Sequence, residues 1–395
     1  MPVRRAEILL ALVATAAVAP VLGLPFYRDD MHSIWQAAVS LERPENLLAP
    51  WMGGLLRLLP KLLLTGLLAL FGPQTWAFRL LNALLHAGSV YLLARTVAHA
   101  SGSRAVGLWT AGLFALGFGY YSAAVIQISN LTLVCALTSS LLAWFLWQRG
   151  RRWPAALALG AALLCHETLA VAALLWPFLA GPWSDGEQGR GRWSPGRRLL
   201  VGLLVVIGAL SFLPGTLGRL AGTEMGYWVF AILPVNPEQA QAAGVAGAMA
   251  TTANGLAAIR PWLAYVALVA FLLAALRLRE GGMRGLGWWV VAALPFAAAI
   301  TLFPDVWAPQ HLGRRYLYLP AVGLCLLTGS WLAGAGATTR RIALAAIVVW
   351  CVAWTGLTQW GFRREFATSK HRADYELFRQ EMIRIDPRWG AGFSE

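Results

Sequence analysis

Three small groups of residues in this chain have types and spacing that could do chemistry. The first is RDD, residues 28–30, within LPFYRDDMHSIW (24–35). Asp29 and Asp30 are adjacent carboxylates flanked by Phe26, Tyr27, His32 and Trp35. In such a half-dry setting a carboxylate can hold a raised pKa and accept a proton from a hydroxyl. The same pair could simply cap the next helix, DDMHSIWQAAVSLE. The second group is Arg314 and Arg315 in HLGRRYLYLPAVG (311–323). An Arg fork binds phosphate oxygens through parallel donors, whereas snorkelling at a membrane surface is the plainer use. The third is His166 and Glu167, midway along the apolar stretch 153–182. Ionisable residues at membrane depth are costly and mark function, or else form a satisfied pair inside a bundle. Glu224, His311 and Asp305 are weaker candidates. Asp29, Asp30 and His32 also have ligand types suited to Mg or Mn, without a full ligand set. P-loop, GxGxxG, Ser/His/Asp and HExxH signatures are absent.

These groups must be positioned by apolar helices. Of 395 residues, 58% are hydrophobic and 13% charged, and mean hydropathy is +0.60. A soluble domain carries about a quarter charged residues, so this composition points to a membrane protein. The net charge of +14 belongs to loop arginines and not to a nucleic-acid surface, since no basic stripe alternates with aromatics. Cys135, Cys165, Cys325 and Cys351 lie inside apolar runs without metal spacing and read as core residues.

Apolar spans fall near 6–25, 74–98, 105–123, 130–148, 199–217, 260–278, 285–303, 316–335 and 341–360. Residues 153–182 are too long for one straight span and read as two short helices meeting at LLCHETLA. The expectation is an all-α polytopic membrane protein of about eleven transmembrane helices, residues 1–360, with an uncleaved first span and the N-terminus inside. This arrangement puts sixteen arginines on inner loops. Four (Arg219, Arg260, Arg314 and Arg315) fall on outer loops after the first. Loop 183–198 is then inner, and loops 26–73 and 218–259 are outer. In the first outer loop, Arg57, Pro60 and Lys61 interrupt an apolar run, which suits an interfacial helix. The tail, 361–395, falls outside. Tyr375, Phe378, Met382 and Ile385 recur at helical spacing there, so the tail reads as a possible interfacial helix; its seven Lys and Arg run against this topology. Asn82 and His86, one turn apart in the second span, read as bundle-facing polar glue.

Together the segments resemble the GT-C superfamily of membrane glycosyltransferases. The nearest likeness is to the protein O-mannosyltransferases, especially the transmembrane family that carries tetratricopeptide repeats. RDD (28–30) matches the acidic motif of the first outer loop. NALLHAGSVYLL (82–93) looks like that family's second span, LLCHETLAVAALLWP (163–177) its Lys-Glu segment, and RRYLYLPAVGLCLL (314–327) its Glu-Arg-Tyr-x-Tyr-x-Pro segment. His166 stands in place of the Lys, Arg314 in place of the Glu, and no tetratricopeptide repeat follows.

The resemblance implies a polyprenyl-phosphate-linked sugar as donor and a hydroxyl on a glycan, lipid or protein as acceptor. Asp30 or Asp29 would be the base. Arg315, with Arg314 or Arg260, would stabilise the leaving phosphate, and transfer would invert the anomeric carbon. Tyr316 and Tyr318 would line the path of the lipid tail or sugar, or form an aromatic belt. His32, His166, Glu167, Glu224 and His311 would contact substrate. The expected location is a bacterial inner membrane, with the site on the periplasmic side. The rival is a transporter or flippase of lipid-linked glycans, which commonly has inverted repeats; none is visible here.

Overall fold

The computed structural model describes residues 5–27, 29–49, 57–116, 125–166, 318 and 321–393. Every regular element among them is helical. We label the helices α1 (Arg5–Ala16), α2 (Asp29–Glu42), α3 (Leu58–Phe71), α4 (Thr75–Ser101), α5 (Arg104–Leu116), α6 (Leu131–Gln148), α7 (Arg152–Leu163), α8 (Ala321–Gly334), α9 (Ala337–Phe366) and α10 (Ser369–Ile385). The expected spans 199–217, 260–278 and 285–303, the loops 183–198 and 218–259, and the second half of the 153–182 hairpin lie outside the described residues.

The hub is α4. Its 27 residues make a rod about 40 Å long, and α1, α5 and α6 all pack on it. Residues 75–101 and 128–148 are long and apolar enough to cross a membrane. Small residues let the helices close up. A Cβ on Gly107 of α5 would collide with the Ala94 carbonyl of α4, and one on Gly329 of α8 would lie 2.6 Å from Thr110 Oγ1 of α5. These glycines put α5 in backbone contact with both neighbours, the usual route to tight packing where lipid supplies no hydrophobic drive between helices.

The bundle has two unlike ends. At one, α1 and α5 begin together: Arg104 Nε donates to the buried Glu7 carboxylate at 3.3 Å. Residues 102–103 and 149–151 turn the chain there between α4 and α5 and between α6 and α7. The other end carries the long excursion between α1 and α4. Within it, α3 has 14 residues, about 21 Å, short of the roughly 30 Å of a bilayer core. Lys61, Leu64, Thr65 and Leu68 of α3 are buried. Lys61 Nζ reaches the Asn46 carbonyl at 2.8 Å, the Leu47 carbonyl at 3.4 Å and the Ala49 carbonyl. The interruption seen in the sequence thus ties α3 to the α2–α3 connection.

Three expected boundaries move. The span near 6–25 is α1 to Ala16, then a 3-10 turn at Ala19–Val21. Pro20 lacks the N–H that a continuing helix needs and its ring would press on the carbonyl of Ala16. The span near 341–360 is longer, a 30-residue α9 that absorbs residues 361–366 of the expected tail. The span near 316–335 is helical from Ala321. In the tail, α10 packs on α2, with Phe378 and Met382 buried in the common core.

Because α10 lies on α2, a membrane-impermeant maleimide should treat cysteines at the exposed Glu42 and Asp374 alike in intact cells. The arginine asymmetry further predicts that both label from outside and that a cysteine at Ser184 does not. Opposite labelling at Glu42 and Asp374 would contradict the packing; uniform labelling at all three would contradict the topology.

Candidate active site

The site begins on the buried face of α4. Arg79, Asn82, His86 and Ser89 follow one another at steps of three, four and three residues, so they form one stripe. All four are buried. Each reaches a different part of the chain. Arg79 donates from Nε to the Ile126 carbonyl at 3.0 Å, from Nη1 to the Leu22 carbonyl at 3.2 Å and to the Leu24 carbonyl, and from Nη2 to the Pro25 carbonyl at 2.7 Å. Asn82 Nδ2 donates to the Val125 and Gln127 carbonyls, both at 3.1 Å. His86 Nδ1 meets Tyr318 Oη at 2.8 Å, and Ser89 Oγ meets Thr138 Oγ1 at 2.8 Å.

Arg79 and Asn82 therefore fix two connecting segments, 22–25 and 125–127, against one helix. Both segments run directly into the acidic pair. Asp30 Oδ2 accepts the Tyr27 N–H at 3.3 Å and Oδ1 accepts the Ser129 N–H at 3.0 Å. Gln127 Nε2 donates to Asp29 Oδ2 at 3.4 Å. The first contact resembles a helix cap, with an acid in the first turn reaching back to the backbone. The second does not, because it crosses to a segment 99 residues away. The acidic pair starts α2 and also docks it.

The two aspartates differ. Asp30 has no exposed surface, whereas Asp29 is partly exposed. Burial pushes Asp30 from 3.8 up to about 6, and neighbouring Asp29 adds to the rise. The Arg79 charge and the N–H groups of Ser129 and Tyr27 oppose it. Asp30 is thus poised near neutrality and enclosed by protein, while Asp29 faces a route to solvent.

Other candidates fall elsewhere. His32 is exposed with Trp35 on the side of α2 away from Asp30, their rings 6.0 Å apart. Asp29, Asp30 and His32 do not converge, and among the described residues no three His, Cys, Asp or Glu side chains could hold a metal. Tyr318 is fully buried against Phe114 and His86, where it ties α4 to α5. His166 is buried just beyond α7, where the Leu164 carbonyl accepts the Leu59 N–H of α3 at 3.4 Å. That contact brings His166 to the end with the acidic excursion, not to mid-depth. Glu167, Glu224, Arg260, Asp305, His311, Arg314, Arg315 and Tyr316 lie outside the described residues. Arg79, Gln127 and Ser129 were not singled out from the sequence. A lone Arg one turn into an apolar span, in step with Asn82 and His86, is the signal that could have found the first.

No protein-family model matches the chain, and no curated protein matches it. A solved structure does. It is the crystal structure of ArnT from Cupriavidus metallidurans bound to undecaprenyl phosphate, with a TM-score of 0.50 at 15% identity over 98% of this chain and 74% of that one. At that identity the likeness shows a shared fold. Among the described residues two helices are long and apolar enough to cross a membrane. Exposed apolar side chains, such as Leu9 and Leu12 on α1 and Val349 and Val352 on α9, suit a surface that faces lipid.

Arg79→Met should destabilise the protein by on the order of 3–5 kcal/mol, because Asp30 loses its nearby cation and the 22–25 and 125–127 segments lose their junction with α4. Asn82→Ala should cost about 1–3 kcal/mol. Thermal unfolding in one detergent checks both. Asp30 also sets a pH slope. Its folded pKa lies above its unfolded value, so its stabilising contribution is full below about pH 4 and is lost as pH rises through about 6. The loss amounts to about 3 kcal/mol at one pKa unit per 1.4 kcal/mol. Asp30→Asn should remove this slope from an unfolding series between pH 4 and 7.

Proposed function

We propose that this chain is a glycosyltransferase of the GT-C type, moving a sugar from a polyprenyl phosphate to an acceptor hydroxyl. The observation that supports it most is the acidic pair itself. Two carboxylates, one enclosed and held by backbone donors, the other partly open and held by Gln127 Nε2, lie at one end of a helical bundle. A lone cap would not need a buried Arg and an Asn to fasten two loops beneath it. The neighbour ArnT was crystallised with undecaprenyl phosphate, which makes a polyprenyl-linked donor the natural choice here. The likeness of RDD and RRYLYLP to protein O-mannosyltransferase segments favours a hydroxyl acceptor, on a glycan, lipid or protein.

In this reading Asp29 is the base and Asp30 holds it in place. The acceptor O–H gives its proton to the Asp29 carboxylate as its oxygen attacks the anomeric carbon. The bond from that carbon to the phosphate oxygen breaks, and polyprenyl phosphate leaves with an added negative charge. Arg315, with Arg314 or Arg260, would stabilise that charge. One displacement with one base inverts the sugar. The site faces the periplasm of a bacterial inner membrane, where acceptors of the cell envelope are reached.

The test is transfer of a labelled sugar from polyprenyl phosphate to extracted envelope material by the purified protein. Asp29→Asn should lower transfer by roughly 10²–10⁴-fold, the range for a general base, with donor binding retained. Arg315→Ala should lower kcat/KM for the donor by an amount equivalent to about 2–4 kcal/mol. Near-wild-type transfer by both Asp29→Asn and Asp30→Asn would leave RDD as a helix cap and remove the centre of the enzyme reading.

A further inference from the structure

The tail crosses the acidic excursion at both of its ends. After α10 the chain makes a 3-10 turn at Pro387–Gly392 and reaches Phe393. At the near end, the Phe378 ring meets Phe26 edge-on with centroids 5.6 Å apart, and His371 stacks on Tyr27 at 5.6 Å. Phe393 closes over Phe378 at 5.7 Å. At the far end, a Cβ on Gly392 would lie 3.1 Å from Pro73, and one on Gly72 would lie 3.4 Å from Trp389. Phe26 and Tyr27 stand one residue before the acidic pair. Pro73 and Gln74 immediately precede α4 and its Arg79.

Two features make this more than a surface helix. Phe378, Met382 and Phe393 are buried in the same core cluster as Phe26 and Tyr27. The outward face is charged and satisfied within the tail, by Arg384 with Glu381 and Arg388 with Asp386. The apolar side is therefore spent on the excursion and the polar side on solvent. Tyr27 carries the consequence to the site. Its N–H donates to Asp30 Oδ2, and its carbonyl accepts the Asp30 N–H at 2.7 Å.

We propose that residues 369–393 form a strap that positions the acidic pair for transfer, by holding Phe26 and Tyr27 at one end of the excursion and Gly72–Gln74 at the other. This rests on the reading of Asp29 and Asp30 as the base and its support. None of the strap residues touches substrate; they act through Tyr27 and Asp30.

Phe378→Ala and Gly392→Val in the full-length protein test the strap at its two ends. Amide hydrogen exchange in residues 26–33 should quicken about tenfold in each, while exchange in α6 stays unchanged. In the transfer assay kcat should fall about tenfold with the donor KM within about twofold, the split for an interaction felt only in the transition state. Phe378→Leu should restore both. Unchanged exchange at 26–33, or faster exchange spread equally through α6, would overturn the strap. So would local loosening with wild-type kcat. A wild-type protein that transfers no sugar from polyprenyl phosphate would instead sink the enzyme reading, and exchange alone would then decide whether the tail holds the acidic excursion.

Discussion

One buried cation organises the acidic end of this molecule. A guanidinium keeps its proton even when buried, so Arg79, with 1% of its surface exposed, must find acceptors or cost several kcal/mol. The acceptors are backbone carbonyls where the chain turns between helices. Leu22, Leu24 and Pro25 lie between α1 and α2, and Ile126 ends a helical turn before α6. Those carbonyls would also be orphans in a buried setting. Arg79 and the loops therefore solve each other's problem, and the solution fixes where α1 ends and where α6 begins.

The same cation shapes the chemistry. Without it, Asp30 would be a lone enclosed carboxylate and would stay protonated well above neutrality. With it, and with two N–H donors, the group titrates at about 6. Asp30 can thus carry charge at physiological pH while remaining out of water's reach. Asp29 shares the helix turn but not the enclosure, so its carboxylate is the one that a hydroxyl can approach. An enclosed acid beside an open one gives a fixed geometry, which the proposed role of Asp29 as a base needs and a fully solvated pair would not supply.

The sequence disclosed whatever a local pattern could carry. Long apolar runs at 74–98 and 130–148 had no other way to satisfy their backbones in lipid, and α4 and α6 follow them closely. Asn82 and His86 were legible as polar glue because one turn separates them. Arg79 was not, since hydropathy averages one Arg away inside a long span. The end of α1 was missed because an apolar run from 6 to 25 averages over Pro20, which a helix cannot carry in its interior. The far end of α9 was missed because hydropathy stops at Trp360, whereas Arg and Glu continue a helix readily. The pairings His86–Tyr318 and Asp30–Ser129 join residues 232 and 99 positions apart, and nothing in either neighbourhood names its partner.

The two ends of the bundle show why the site lies where it does. At the Glu7–Arg104 end the connections are a few residues long and a single ion pair suffices. At the other end the chain takes residues 17–74 to pass from α1 to α4, and α10 returns to pack on the excursion. Such a detour costs conformational entropy and exposes irregular backbone, so it persists only where other contacts hold it. Here those contacts are polar below, through Arg79, Asn82 and Lys61, and aromatic above, through Phe378, His371 and Phe393. The lipid-linked donor proposed above would present its phosphate at the membrane surface and its sugar beyond it. Irregular backbone fixed at that depth can offer carboxylates to the sugar side, where an uninterrupted helix would offer only the lateral face it shows to lipid.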